Sequence, residues 1–258
     1  MHNYFSIEAF EKLQPHWRLT YFPETDSTNE QAKQAILNAS KASNASQASK
    51  QFTSGAVFLA DQQSCGKGRR DNTWSSSPGE DLLFTVVIET ELALDQVHKV
   101  ATATALALVK VLEKNHLCPK IKFPNDVYLD GKKTAGILIE QIKQFTLIGI
   151  GINVNSQPEL ENSTSLIQQS GSPISREKFL ASLLDQLLMQ VSLCKKNYHT
   201  IQTQITPYDL FFQQTIQYTE DNTTYTGIAQ GISLNGYILV DSGNGPQEVF
   251  SGHSFRLL

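Results

Sequence analysis

Lys122-Phe123-Pro124-Asn125-Asp126-Val127-Tyr128-Leu129-Asp130-Gly131-Lys132-Lys133-Thr134-Ala135-Gly136-Ile137 carries the two signals from which the fold is read. Asp130-Gly131 lies between the apolar triplet Val127-Tyr128-Leu129 and the apolar run 135–139. Both central residues of a type I′ turn need positive φ, which Asp-Gly adopts at little cost, so the segment predicts a β-hairpin. Just upstream, residues 120–123 read as a strand that meets Pro124. It then presents an amide and a carboxylate, Asn125 and Asp126, where a turn exposes side chains. Lys133 falls across the hairpin from Asp126, so a cation projects from a rigid element. An Asx-type turn and a strand-edge lysine are the plainer readings of the same residues.

Neighbouring segments supply partners for this hairpin. Residues 147–154 read as a further strand, while 55–60 and 82–88 are nearly continuous apolar runs, the pattern of strands covered on both faces. The polar stretch 61–80 joins those two. Residues 101–112 have helical apolar spacing, and 175–193 place Leu180, Leu183, Leu184, Leu187 and Leu188 on one side of a second helix. Ser27 and Glu30 have capping-box spacing ahead of a helix-favouring run to about Leu37, which puts Ser27 at a helix start. Residues 38–51 are low in complexity and lack an apolar face, so they read as a solvated loop or frayed helix end. Residues 1–19 are too few for a domain and are expected to pack on the main body, with no helix-turn-helix ahead of them.

After the polar run around Pro207 the chain changes character. Short strands are expected at 224–232, 237–241, 247–250 and 255–258, linked by Asn235-Gly236 and Gly243-Asn244-Gly245-Pro246 turns. The expected fold class is α+β: a mixed β-sheet with packed helices over residues 1–208, then a small β-barrel-like domain over 209–258.

Composition narrows the function. At 258 residues the chain is long enough for an enzyme-sized core, and 40% hydrophobic with 18% charged residues excludes disordered, collagen-like and membrane classes. A formal net charge of -4 argues against a surface built for nucleic acid, so any anion site must be local. Cys65, Cys118 and Cys194 are odd in number and lack CxxC spacing, which suits free thiols in a reducing compartment. The N-terminus has no basic region followed by an apolar run, and no stretch approaches the ~18 apolar residues of a membrane span. A soluble, cytoplasmic protein is expected.

Three further segments carry chemistry. Gln63-Ser64-Cys65-Gly66-Lys67-Gly68-Arg69-Arg70 sets two glycines among three cations directly after a buried strand, a cradle for carboxylate or phosphate, with a solvated basic turn as the alternative. It is not a Walker A loop, and Gly149-Ile150-Gly151 lacks the third glycine of a dinucleotide fingerprint. That strand ends in Asn153 and Asn155, amides suited to reading a purine edge or to capping the turn. Thr25-Asp26-Ser27-Thr28-Asn29 gathers hydroxyls and amides at a helix start, suited to a neutral polar ligand head.

The order of these five segments along one chain resembles the biotin protein ligase family, in its short form without an N-terminal DNA-binding domain. The resemblance runs from about Tyr21 to the C-terminus. It is strongest in 25–29, 63–70 with Trp74, 122–126, Lys133-Thr134-Ala135-Gly136-Ile137 and Gly151-Ile152-Asn153-Val154-Asn155. It implies a class II synthetase-like biotin/lipoate ligase domain followed by an SH3-like barrel. The implied activity uses ATP with Mg2+ to activate biotin, the substrate, as biotinyl-5'-AMP. The biotinyl group then passes to a lysine of a biotin carboxyl carrier protein domain, in acetyl-CoA carboxylase or another biotin-dependent carboxylase. DNA and membrane are not expected partners, and a homodimer is an assembly that the motifs do not decide. A lipoate-type ligase and a non-catalytic biotin-binding regulatory protein are the alternatives.

By the same resemblance, Ser27, Thr28, Asn29 and Gln63 bind the ureido ring of biotin. Lys67, Gly68 and Arg69 close over the biotin carboxylate and the phosphates, and Lys133 reaches the carboxylate and α-phosphate. Arg69, Arg70, Trp74, Asn125, Lys133 and Asn153 are the implied nucleotide contacts, with Asn153 at the adenine edge. Lys133, Arg69 and Asp126 form the implied catalytic set, Asp126 as orienter or proton acceptor for the incoming lysine. No protein metal ligand is implied. The chain departs from the family pattern at Lys67, where arginine is usual, at Asp71-Asn72, where Gly-Arg is usual, and at His253, where glutamate is usual. The segment 156–168, expected to cover the nucleotide, has no aromatic residue, which leaves Leu160 or Leu166 to cover adenine.

Overall fold

The computed structural model describes residues 4–42, 55–69, 72–89, 96–220, 223–249 and 255–258. Asp130 and Gly131 take φ of 48° and 71°, so the turn expected from Asp-Gly is formed. In chain order the elements are α1 (Ile7–Leu13), β1 (Arg18–Phe22), α2 (Thr28–Ala42), β2 (Ala56–Ala60), β3 (Leu82–Glu89) and α3 (Val97–Lys114). There follow β4 (Pro119–Lys122), β5 (Asp126–Leu129), β6 (Lys132–Ile142), β7 (Phe145–Ile152), α4 (Leu166–Ser170), α5 (Arg176–Lys196) and α6 (Tyr198–Ile205). The last part holds β8 (Thr215–Glu220), β9 (Thr223–Ile232), β10 (Ile238–Asp241), β11 (Pro246–Val249) and β12 (Phe255–Leu257).

The first seven strands form one mixed sheet in the order β1-β2-β3-β7-β6-β5-β4. Strands β1 and β2 run parallel, joined by α2, and the other neighbours are antiparallel. Strand β2 is buried at every position because both sheet faces are covered. One face packs on α3 and α5 through Leu59, Phe84, Val86, Ile150, Leu106, Leu183 and Leu187. On the other, Ala32 and Ile36 of α2 meet Phe58, Val87, Phe145 and Leu147. The remaining strands form a five-stranded antiparallel sheet, β11-β10-β9-β8-β12.

Several expectations need correction. Helix α2 extends to Ala42, so of the two readings residues 38–42 take the helix end, and 43–51 lie outside the described residues. Glu30 does not return to cap Ser27: its carboxylate pairs with Lys33 and Lys67, and Asp26 Oδ1 accepts from Ser27 N–H at 2.6 Å instead. Leu188 is exposed because it lies one residue, about 100° of helix, beyond the apolar stripe ending at Leu187. The leader does pack on the body, but as α1 with a buried Phe10, followed by β1 at the sheet edge. Strand β8 went unread although Ile216 and Tyr218 alternate inward.

The two sheets meet at a buried joint. Leu210 N–H donates to Ile121 O at 2.9 Å, the Asp209 carboxylate accepts from Phe211 N–H at 2.9 Å, and the His98 and Tyr237 rings stack at 4.6 Å. Burial pushes the Asp209 carboxyl up to about 6 from an ordinary value of 3.8. Ionising it therefore costs the folded state more than the unfolded one. The stability tied to its neutral form is full below about pH 3.8 and is lost as pH rises through about 6. Asp209→Asn keeps an acceptor for Phe211 N–H. It should gain stability over wild type as pH rises from about 4 to 6 and hold that gain at pH 8, at roughly 1–3 kcal/mol in urea unfolding. Equal stabilities at pH 8 would contradict the assignment.

Candidate active site

Successive residues of a strand point to opposite faces. In β7, Ile148, Ile150 and Ile152 enter the larger core, while Phe145 and Leu147 pack under α2. The next two positions on the α2 face are Gly149 and Gly151, and Gly136 of β6 lies directly opposite Gly151. The sheet is therefore bare along one strip. Two side chains use that clearance: a Cβ on Gly149 would strike Asn29 Oδ1, and one on Gly151 would come within 2.5 Å of the Trp74 ring. Gly149 and Gly151 thus act through strand geometry rather than as part of a nucleotide fingerprint.

A cleft opens over the strip. Ser27, Thr28, Asn29, Gln63, Lys67, Gly68, Arg69, Trp74, Asn125, Asp126 and Lys133 all line it, so the structure brings together eleven residues from separate segments. Arg70 and Asp71 lie outside the described residues, as does His253.

The floor of the cleft is polar and closed. Gln63 Oε1 accepts from Thr28 N–H at 2.7 Å, leaving its Nε2 as a donor. Thr85 Oγ1 lies 2.8 Å from Thr28 Oγ1 and donates to Asn29 Oδ1 at 2.5 Å, while Asn29 Nδ2 donates to Glu140 Oε2 at 2.6 Å. Ser27, Thr28, Asn29 and Thr85 are buried. Thr85 and Glu140 are site residues that the sequence reading missed. The signal for Thr85 was a lone hydroxyl in the apolar run 82–88, since a buried polar group needs partners.

The basic loop folds back as a tight hairpin. Gly68 N–H donates to Asn72 O at 2.7 Å and Trp74 N–H to Gly66 O at 2.9 Å. A Cβ on Gly66 would lie 2.5 Å from Trp74 O, so only glycine allows that approach. Arg69 Nη1 donates to Asn125 Oδ1 at 2.7 Å, and Asn125 Nδ2 donates to Ile137 O at 3.1 Å, which fixes the Asn125 amide. Lys67 Nζ pairs with Glu30 at 2.5 Å.

Lys133 is aimed by an irregularity in the hairpin. The β5–β6 register shifts between Val127 and Tyr128, so Tyr128 rather than Asp126 is opposite Lys133. Such a shift redirects a side chain, and Lys133 Nζ reaches Asp126 Oδ1 at 2.8 Å while standing 5.5 Å from the Trp74 ring centre. The backbone of Lys133 is bound on its outer side by the 156–165 segment, through Asn162 O and Thr164 N.

Trp74 and Lys133 also line a second cleft with Ser76, Asp81, Asn153, Ser156 and Leu160. Trp74 Nε1 and Ser76 Oγ are buried without hydrogen-bond partners in the protein, and Nε1 packs against Gly151 of the bare strip. Burial raises the Asp81 carboxyl above its ordinary range, and its oxygens accept from Val154 and Ser77 N–H. Asn153 reaches this cleft, but its Nδ2 donates to Thr164 O at 3.1 Å and braces the loop. Leu166 is fully buried in the core, whereas Leu160 is 69% exposed. No group of three His, Cys, Asp or Glu that could hold a metal ion stands among the described residues.

Residues 21–156 match the model of the biotin/lipoate A/B protein ligase family, and residues 214–253 match that of the biotin protein ligase C-terminal domain. The bifunctional ligase/repressor BirA of Bacillus subtilis is 31% identical over 218 residues, covering 76% of this chain and 65% of that protein. The biotin--[acetyl-CoA-carboxylase] ligase of Mycobacterium tuberculosis is 29% identical over 179 residues, 66% of this chain and 63% of its own. The chain thus spans less than two thirds of the length of these curated relatives. The structure of the biotin protein ligase from Aquifex aeolicus in complex with biotin and ATP superposes with a TM-score of 0.79 at 25% identity, covering 93% of this chain and 99% of that one.

Gly151→Ala tests the bare strip. The added methyl should push the Trp74 indole off the sheet at a cost of about 1–3 kcal/mol. Trp17 is the only other tryptophan and is buried, so a red-shifted, more quenchable fluorescence emission would report the displacement. An emission spectrum identical to wild type would rule it out.

Proposed function

Because the chain belongs to the biotin/lipoate A/B protein ligase family, we propose that it is a biotin protein ligase: it joins biotin to ATP as biotinyl-5'-AMP and passes the biotinyl group to a carrier-protein lysine. The observation that carries this reading is that Lys133 and Trp74 belong to both clefts. An acid bound in one and a nucleotide in the other would bring carboxylate and α-phosphate together at Lys133.

The first cleft takes biotin. Its ureido ring has one carbonyl and two N–H groups, which match a floor of hydroxyls and amides from Ser27, Thr28, Asn29 and Gln63. The dithiolane ring of lipoate has no such groups and would leave Gln63 Nε2, the donor that the floor does not use, without a partner, which disfavours it. The match of residues 214–253 to the biotin-specific C-terminal domain supports the same choice. We take 1–208 as the ligase domain and 209–258 as the small SH3-like one.

The second cleft takes ATP, with the Trp74 ring and Ser76 in its wall and Leu160 over the purine. Asn153 shapes this cleft chiefly by holding the loop. Asn125 serves the nucleotide site by fixing Arg69, and Arg70 is kept as a phosphate contact by its place in the loop. The described carboxylates do not form a metal cage, and Mg2+ is expected to arrive on the nucleotide phosphates.

In the first step a biotin carboxylate oxygen attacks the α-phosphorus and pyrophosphate leaves. Two anions must approach, and Lys133 and Arg69 offset that repulsion and the charge on the pentacoordinate phosphorus. In the second step an acceptor amine attacks the biotinyl carbonyl, an amide forms and AMP departs. Asp126 holds the incoming ammonium and takes its proton. A regulatory protein without turnover is disfavoured because the substitution that suggested it, Lys67, leaves Arg69 and Lys133 in place. The acceptor is a biotin carboxyl carrier domain of a carboxylase, the enzyme is cytoplasmic, and neither DNA nor membrane enters the reaction. Among the described residues no helix is long and apolar enough to cross a membrane.

Mixing the protein with biotin, α-labelled ATP and a carboxylase carrier domain should give biotinyl-AMP and a biotinylated carrier. Biotin binding with neither product would overturn the reading. Lys133→Ala should slow adenylate formation about a hundredfold or more. Its melting temperature should stay close to wild type, since an ion pair that solvent still reaches contributes little. Near-normal turnover in that variant would remove Lys133 from the chemistry.

A further inference from the structure

The first turn of α2 does two things at once. Asn29 points into the floor of the first cleft, and the next residue, Glu30, leaves the helix toward the basic loop. Glu30 takes Lys67 at 2.5 Å and Lys33 at 3.0 Å; Lys33 takes Glu140 at 2.6 Å; Glu140 takes Asn29 at 2.6 Å. The charges alternate in sign from the loop to the floor, Lys67, Glu30, Lys33, Glu140. Three of the four side chains are only 23–27% exposed, and Lys67, at the open end, is 45% exposed. The same loop is tied on its other flank by Arg69 to Asn125.

We propose that Glu30 is a positioning residue: through Lys67 it latches the basic loop over the first cleft before any ligand is bound. A flexible glycine-rich loop loses conformational entropy when it orders, and a ligand that must order it binds more weakly by that amount. A fixed anion on a helix removes part of that cost in advance. Both charges flanking Glu30 are cations, so its neutralisation breaks the loop contact and leaves Lys33 and Lys67 facing each other without their shared carboxylate. Lys67 then serves the site by holding the loop, while Arg69 is, among the described residues, the loop cation left to face the reacting groups. The assignment of Arg69 rests on the function proposed above; the latch itself does not.

The test is a double-mutant cycle with Glu30→Gln, Lys67→Met and the double variant. The ligand-free reading is the rate of tryptic cleavage after Arg69, followed by mass spectrometry. The liganded reading is the dissociation rate of biotinyl-AMP. An exposed ion pair supports a change of roughly fivefold, so each single variant should raise both rates by about that factor. The double variant should raise them no further, because either change alone opens the latch. Unchanged rates in the single variants, or effects that multiply in the double variant, would overturn the proposal. Glu30→Gln acts on Lys33 as well, and its effect in the Lys67→Met background measures that part directly. Thermal unfolding of Lys67→Met, altered only on the exposed loop, separates latch opening from loss of fold. A wild-type protein that makes no adenylate would defeat the proposed function, while the cleavage rates would still decide the latch.

Discussion

The structure depends on a strip of sheet without side chains. Strand β7 is covered elsewhere by close-packed apolar residues, where a missing side chain would leave a costly void. At Gly136, Gly149 and Gly151 the void is filled by Asn29 and Trp74 arriving from other elements. That exchange turns a core face into a binding floor. It also sets the positions of α2 and the basic loop, because each contributes a side chain that fits only there. The rigid sheet supplies accuracy, and the loops supply the groups that meet a ligand.

Charge is distributed with the same economy. The protein as a whole is acidic, yet Lys67, Arg69 and Lys133 converge at one cleft. Each is held by a named partner: Glu30, Asn125 and Asp126. Partners of this kind fix the position of a cation without burying an unpaired charge. They also mean that an incoming anion must compete with a resident carboxylate at Lys133. The pairing of Lys133 with Asp126 places the two groups proposed for successive steps, phosphate activation and amine capture, 2.8 Å apart.

Much of this was legible in the residues. Asp130-Gly131 predicted its turn, and the five polar and basic segments converge as their order implied. What escaped reading has physical causes. Gly149 and Gly151 were weighed against a loop motif, whereas their spacing of two is the spacing of one strand face. Thr85 lay hidden in an apolar run because its partners, Thr28 and Asn29, come from more than fifty residues away. Glu30 has capping-box spacing, but long-range pairing with Lys67 outweighs the local bond to Ser27, as tertiary contacts often override local preference. Strand β1, Arg18–Phe22, straddles the end of the expected leader at residue 19 and was not read as a strand, because it is short and only partly buried, which weakens its pattern.

The central claim is that two clefts sharing Lys133 bring an acid and a nucleotide together for adenylation. Exchange of labelled pyrophosphate into ATP measures that step alone, without any carrier protein. The account predicts exchange that requires biotin and is not supported by lipoate. Exchange that proceeds equally with lipoate, or none with biotin, would contradict it.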